Sequence, residues 1–373
     1  MHIPDGYLSP STCATLYVAA APFWYIALQR VRRLLSTRLV PLLAVFSAFS
    51  FVIMMFNLPL PGGTTGHAVG MGIATIVLGP WGSMLAISVA LLIQALFFGD
   101  GGVTAFGANC FNMAIVGSLV AYGVYRAIAG RSAITARRRV VAAAIAGYVA
   151  INVAALLAAI EFGIQPALFI DAAGAPLYAP YALSVAVPAM LLGHLTIAGL
   201  AELVVTGGVV AYLQRSDPAL LKLTAPGAAD ANDGMQSVNQ RGGWRTVRPL
   251  LIGLAILMVL SPLGLLAAGT AWGEWGASDF ADPAVRQQIE TASGQAPPSQ
   301  APAGLDRLAS FWTAPIPDYA PSFMHSESFG YILSAVFGTG LITLVLFAIS
   351  WIAGLLRGGR EPDPTSHPGA GTV

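Results

Sequence analysis

The sequence predicts an all-α integral membrane protein: a larger module of about seven helices, then a two-span module with an extracytoplasmic loop. Three observations carry this reading. Of 373 residues, 56% are apolar and only 9% are charged, against roughly 25% charged in soluble domains. A core of this size needs a charged skin to stay in solution, and this chain lacks one. Apolar stretches long enough to cross about 30 Å of hydrocarbon recur along the chain. Its basic residues are confined to a few loops.

The stretches lie at 12–29, 39–58, 69–80 with 82–98, 108–128, 140–161, 181–212, 249–270 and 329–355, about nine helices. Between them, Arg30, Arg32, Arg33 and Arg38 occupy one loop, and Arg126, Arg131 and Arg137 to Arg139 a second. Arg215 to Arg248 mark a third, and Arg357 with Arg360 close the chain. Basic residues favour the cytoplasmic side, so this pattern puts 16 of the 18 inside and leaves Arg286 and Arg307 outside. The N-terminus is then extracytoplasmic and the C-terminus cytoplasmic. The opening MHIPDGYLSP has no basic n-region, so the first helix is expected to be retained rather than cleaved as a signal, despite Ala19 to Ala21.

Residues 68–98 must enter the membrane and return, yet number only 31, too few for two crossings of about 20 residues each. One arm is therefore abbreviated, and the loop LPLPGGTTGHAVG (58–70) dips inward. Irregular backbone at that depth needs protein or a water-filled cavity around it, which makes the loop a candidate site. The stretch 216–245, rich in Asp, Asn, Gly, Pro and Ala, reads as a cytoplasmic linker between modules 1–215 and 246–373. The outer segment 271–328 carries Glu274, Asp279, Asp282, Glu290, Asp306, Asp318 and Glu327 against two arginines. It reads either as a solvated loop or as an arm folded over the outer face that attracts cations. Cys13 and Cys110 lack CxxC spacing and read as packing residues.

Among the histidines, His367 sits in a polar tail, whereas His2 and His67 stand at the two candidate ligand positions. An N-terminal Met1-His2 offers the α-amine, the His2 backbone nitrogen and an imidazole nitrogen on one chelating strip, and His67 supplies a fourth nitrogen. Such nitrogen squares suit Ni(II), Cu(II) and low-spin Co(II). Binding through a deprotonated amide releases protons and weakens as pH falls. An intramembrane histidine is itself a functional signal.

MHIPDGYLSP (1–10), GGTTGHAVGMGIATIVLGPWG (62–82), LLIQALFFGDGGVTAFGANCFNMAIVG (91–117) and HLTIAGLAELVVTGGVVAYL (194–213) resemble the CbiM/NikM substrate-capture (S) components of energy-coupling-factor cobalt and nickel transporters. The resemblance spans about 1–215. It implies metal held by the N-terminal amine of Met1, His2 and His67, with Ni(2+) or Co(2+) as transported substrate and no catalytic cofactor. The implied partners are a membrane coupling subunit (T component, NikQ/CbiQ-like) and cytoplasmic ATPase subunits (NikO/CbiO-like), in a bacterial inner membrane. PAGLDR (302–307), PIPDYAP (315–321) and the last span are similar to the PDGLE-type accessory subunit NikN/CbiN, with Ala303 and Asp306 where that family has Asp and Glu.

Gln94, Asn109 and Asn112 need partners in an apolar setting and are candidates to orient the ligands or to bond between helices. Asp5 is a candidate to hydrogen-bond an imidazole or attract the cation. His194 and Glu202 lie on one helix face and suggest a helix contact or a proton relay. With Glu161 near an outer helix end, the relay defines a rival reading, a self-sufficient proton-coupled secondary transporter. Inverted repeats would favour that rival, and none is visible. No P-loop, GxSxG or HExxH motif is present, which argues against an enzyme and leaves ATP hydrolysis on this chain unsupported; the resemblance implies that separate subunits carry it.

Overall fold

A computed structural model describes residues 1–34, 39–228, 243–321 and 323–358. Arg38, Arg241, Arg360, His367 and the linker residues 229–242 lie outside the described residues. The helices are α1 (Pro10–Leu34), α2 (Leu39–Met54), α3 (Met71–Ile93), α4 (Phe106–Asn109), α5 (Gly117–Ala129), α6 (Arg137–Gly163), α7 (Gln165–Leu168), α8 (Leu183–Gly193) and α9 (Gly199–Ser216). After the linker come α10 (Gly243–Leu260), α11 (Pro283–Ser293), α12 (Ala303–Ala309) and α13 (Glu327–Gly358). Short π-helical turns prolong α3 (Gln94–Phe98) and join α4 to α5 (Cys110–Val116) and α8 to α9 (His194–Ala198). Among the described residues seven helical runs are long and apolar enough to cross a membrane, and α2 supplies a shorter apolar one. The protein is a multi-pass helical membrane protein.

Burial sorts the helices into layers. The most apolar window of α3 is 78% buried, against 17% for those of α1 and α10. A helix apolar all round and covered all round is a core helix, so α3 is the centre. The outer helices turn Val18, Val204, Val259 and Leu344 outward, as a lipid-facing surface requires. The small-residue rows of α6 pack internally: Ala142, Ala143, Ala146, Ala150, Ala154 and Ala158 are fully buried, where small side chains let neighbouring backbones approach.

α3 is folded into a hairpin. Gly79 has φ 71° and ψ 168°, a conformation essentially reserved for glycine, and Pro80 follows. Thr75 Oγ1 donates to Ser83 Oγ at 3.1 Å, although eight residues of straight helix would separate them by about 12 Å. The chain therefore reverses at 79–80, giving a short arm (71–78) and a long arm (80–98). This is the abbreviated arm that the 31-residue length demanded. The tip of the hairpin meets the arginine-bearing end of the bundle: Arg30 stacks over Trp81 at 5.5 Å, and Thr224 Oγ1 donates to the Ile76 carbonyl at 2.6 Å.

At the opposite end lie the N-terminal strip, the two-stranded hairpin β1 (Leu58–Leu60) and β2 (Thr64–Gly66), the loop 99–105 and the segment 271–321. That segment is an arm folded over this end rather than a free solvated loop. Trp275 and Leu305 are each 1% exposed within it, and Thr65 N donates to Thr270 O at 3.3 Å beside β2.

Candidate metal centre

The N-terminal strip is fixed in place by hydrogen bonds from four directions. Asn109 grips Ile3 twice, accepting from its N–H at 2.8 Å and donating to its carbonyl at 3.1 Å. Gly102 N donates to the same carbonyl at 2.8 Å. Ser9 N donates to Gln165 Oε1 at 3.0 Å, and Tyr7 OH donates to the Trp275 carbonyl at 2.8 Å. Asp5 accepts from Val103 N at 3.1 Å, from Thr104 N at 2.7 Å and from the Thr104 hydroxyl. The Asp5 carboxylate thus anchors the strip, and its hydrogen bonds go to the 103–104 turn rather than to an imidazole. Such clamps hold Met1 at 3% and His2 at 1% exposure.

His67 reaches the same place from the end of β2. Glu202, buried on α9, accepts from the backbone N–H groups of Val69 and Gly70 at 2.8 Å each and of Gly72 at 3.1 Å. Those are unpaired donors at the start of α3, so the carboxylate ties the His67 loop to the bundle. The His67 and His2 rings lie 5.0 Å apart between centroids, inclined by 31°. His67 Nδ1 is 3.1 Å from the Ala68 carbonyl; donating there, it leaves Nε2 with the lone pair. Burial, with the nearby His2 ring and terminal amine adding to it, holds the His67 imidazole well below its usual range, so it is neutral and suited to bind a cation.

His2 is the unusual group. Its Nδ1 stands 2.9 Å from Asp100 Oδ1, yet out of line for a hydrogen bond. Neither buried ring nitrogen has a hydrogen-bond partner. Buried polar atoms are nearly always satisfied, so a ring with no aligned hydrogen bond and only an ion contact from Nδ1 to Asp100, beside a second imidazole, marks a place shaped for something else.

Three residues that the sequence reading missed complete the surroundings. Asp100 sits beside His2, and Glu274 Oε1 accepts from the Met1 amine at 2.7 Å. Tyr319 OH donates to Asp100 Oδ2, as does Gln94 Nε2 at 3.0 Å. Burial alone would raise the Asp100 carboxyl. The adjacent His2 ring outweighs it, with help from His67 and the Tyr319 hydroxyl, and the group stays below the usual carboxylate range. Asp100 stands inside GDGG and Tyr319 inside PIPDYAP, but nothing in their spacing ties either to His2. Glu274 had only its place on an acidic arm.

The remaining candidates are engaged with other partners. Asn112 donates to Glu161 Oε2 at 2.8 Å, away from the imidazoles. His194 Nδ1 pairs with the Met190 carbonyl at 2.8 Å, and Glu202 is spent on the His67 loop. Among the described residues no hydrogen bond joins His194 to Glu202, because each is already committed to a backbone partner. Cys13 and Cys110 are buried free thiols.

A multi-pass helical membrane protein with a buried, nitrogen-rich N-terminal strip is the class these features define. Residues 2–220 match the family described as CbiM, cobalt uptake substrate-specific transmembrane region, and the chain belongs to that family. Residues 248–355 match the PDGLE domain, so the resemblances of both halves hold. The chain is 59% identical over 343 residues to a fused nickel transport protein NikMN of Rhodobacter capsulatus, covering 92% of this chain and 95% of that one. It is 42% identical over 369 residues to a probable fused nickel transport protein LarMN of Lactiplantibacillus plantarum, covering 98% and 100%. A crystal structure of a truncated transition metal transporter superimposes with a TM-score of 0.54 at 52% identity, covering 57% of this chain and 98% of that one.

Proposed function

We propose that the chain captures nickel or cobalt outside the cell and passes it inward as the membrane subunit of an ATP-driven energy-coupling-factor transporter. In this reading residues 1–215 are the capture module, 216–245 the linker and 246–373 the accessory module. The strip end faces outward, and the arginine-rich end meets a NikQ/CbiQ-like coupling subunit and NikO/CbiO-like ATPases. The metal is held by the Met1 amine, the His2 amide nitrogen and ring, and His67.

The buried His2 ring, with no aligned hydrogen bond at either nitrogen and Nδ1 in ion contact with Asp100 alone, beside the neutral His67 ring, is the observation that carries the reading. Four nitrogens suit Ni(II) or low-spin Co(II), and both metals are accepted by such a set. Neutral imidazoles also avoid the cost of burying several carboxylates near the membrane. Binding exchanges the Met1 amine's bond to Glu274 for a metal bond and releases protons. Asn109, through Ile3, and Glu202, through the loop backbone, orient the ligands without touching the ion.

The test is metal binding to purified protein. His2→Ala, His67→Ala and a variant with one extra residue before Met1 are each expected to lose nickel and cobalt, since the added residue moves the amine out of its chelate ring. Tight binding by the extended variant rejects the amine as a ligand. Uptake that needs co-expressed ATPase subunits supports the energy-coupled reading over a self-sufficient transporter.

A further inference from the structure

The nitrogen set has a neighbour of different chemistry. One ligand atom each from His2, Asp100 and Glu274 lie within 4.8 Å of one another. Bonds of about 2.1 Å place opposite ligands of one ion about 4.2 Å apart, so a shift of a few tenths of an ångström brings all three onto a shared cation. We propose that Asp100, Glu274 and His2 form a second, oxygen-rich position for a divalent cation directly outside the nitrogen set, with one ligand supplied by the C-terminal half of the chain. The two positions share His2 Nδ1, the ring nitrogen that can chelate with its own amide, so they are filled in turn, and the inference rests on the proposed nitrogen set to that extent.

Four features support it. His2 points a buried ring nitrogen at the carboxylates, 2.9 Å from Asp100 Oδ1 and without an aligned hydrogen bond, which an acidic cluster alone would not provide. Exposure is graded: Asp100 and Glu274 are 18% and 19% exposed, against 1% for His2 and 5% for His67. An ion arriving from solvent meets the carboxylates first and the imidazoles second. Asp100 is aimed, because Tyr319 and Gln94 both bond its Oδ2 and leave Oδ1 toward His2. Finally, Asp318 and Tyr319, with φ of 53° and 60°, are the non-glycine residues of positive φ among those described. Backbone held in that region costs of order 1–3 kcal/mol and persists where the surroundings enforce it; here it plants the hydroxyl that orients Asp100. In the present structure the Met1 ammonium stands against Glu274, a single positive charge where a divalent ion would be drawn more strongly.

Manganese separates the two positions, since Mn(II) favours oxygen ligands and has no preference for a nitrogen square. Mn(2+) binding to the full-length protein in detergent is followed by loss of the free-ion electron paramagnetic resonance signal. Wild type and His67→Ala are expected to bind one Mn(2+) with similar affinity. Glu274→Gln and Asp100→Asn are each expected to weaken it by at least ~tenfold, and Glu274→Asp to recover part of the loss. Asp100→Asn carries the test alone if Glu274→Gln fails to fold. Absence of Mn(2+) binding by wild type, or wild-type affinity in the folded glutamine or asparagine variant, overturns the proposal. Failure of the nitrogen set is read separately, as undiminished nickel binding by His67→Ala, a residue outside this cluster.

Discussion

Three backbone N–H groups converge on Glu202, so the charge on α9 acts on metal binding only by holding the loop that carries His67. Glu202→Gln replaces one acceptor oxygen with an N–H donor facing those groups. Leaving buried donors unpaired costs about 1–3 kcal/mol, and losing an orienting partner typically costs 10–100-fold in metal affinity. Both effects are expected here, in thermal unfolding and in competition with a chromogenic chelator; unchanged nickel affinity would show that the loop holds itself. His2 and His67 were legible in the sequence because one occupies the second position and the other lies in a loop forced inward by length. Asp100, Glu274 and Tyr319 were not, because their meaning comes from contacts spanning up to 273 residues. Glu202 was visible as a polar residue on an apolar helix, but apart from Thr206 on the same helix its partners are backbone groups, which leave no mark on side-chain spacing.

At the level of elements, the hairpin in α3 decides where the His67 loop can sit. Its short arm of eight residues, about 12 Å long, stops short of the strip end of the long arm, and the loop before it carries His67 up beside His2 and Asp100. Arithmetic on 31 residues foresaw an abbreviated arm, and the division into 69–80 and 82–98 fell next to the turn at Gly79-Pro80, whereas the Thr75–Ser83 contact that closes it had no signature in the sequence. Gly79→Ala forces a side chain into a glycine-only conformation, at about 1–3 kcal/mol. The apparent unfolding midpoint in detergent, followed by circular dichroism, is expected to fall. Gly123→Ala on α5, with open space around the added methyl, serves as the control expected to show no such loss. The PAGLDR segment has an equally local reason: a Cβ on Gly304 would stand 2.4 Å from the Leu177 carbonyl, which accepts the Gly304 N–H at 2.7 Å. The neighbouring Leu305 packs against Gly6 of the strip, and burying it is worth roughly 1.5–3 kcal/mol.

For the whole molecule, the C-terminal half meets the N-terminal half at the places that matter: the Met1 amine, the Asp100 carboxylate, the His67 hairpin and the strip itself. Membrane character, helix number and the two-part order were legible from composition and apolar runs. The choice between a solvated loop and a seated arm was not, since polar, proline-rich composition suits either. Deleting 271–373 is expected to lower nickel or cobalt uptake more than it lowers protein level, measured together in the same cells; unchanged uptake would make the arm dispensable. The two halves are one covalent chain, and α10 and α13 both pack on α2 beneath the arm. The encounter between halves is therefore intramolecular, at an effective concentration set by the tether rather than by expression. Dilution cannot unseat the arm, as it would a separate subunit, so the number of complete sites follows the number of chains.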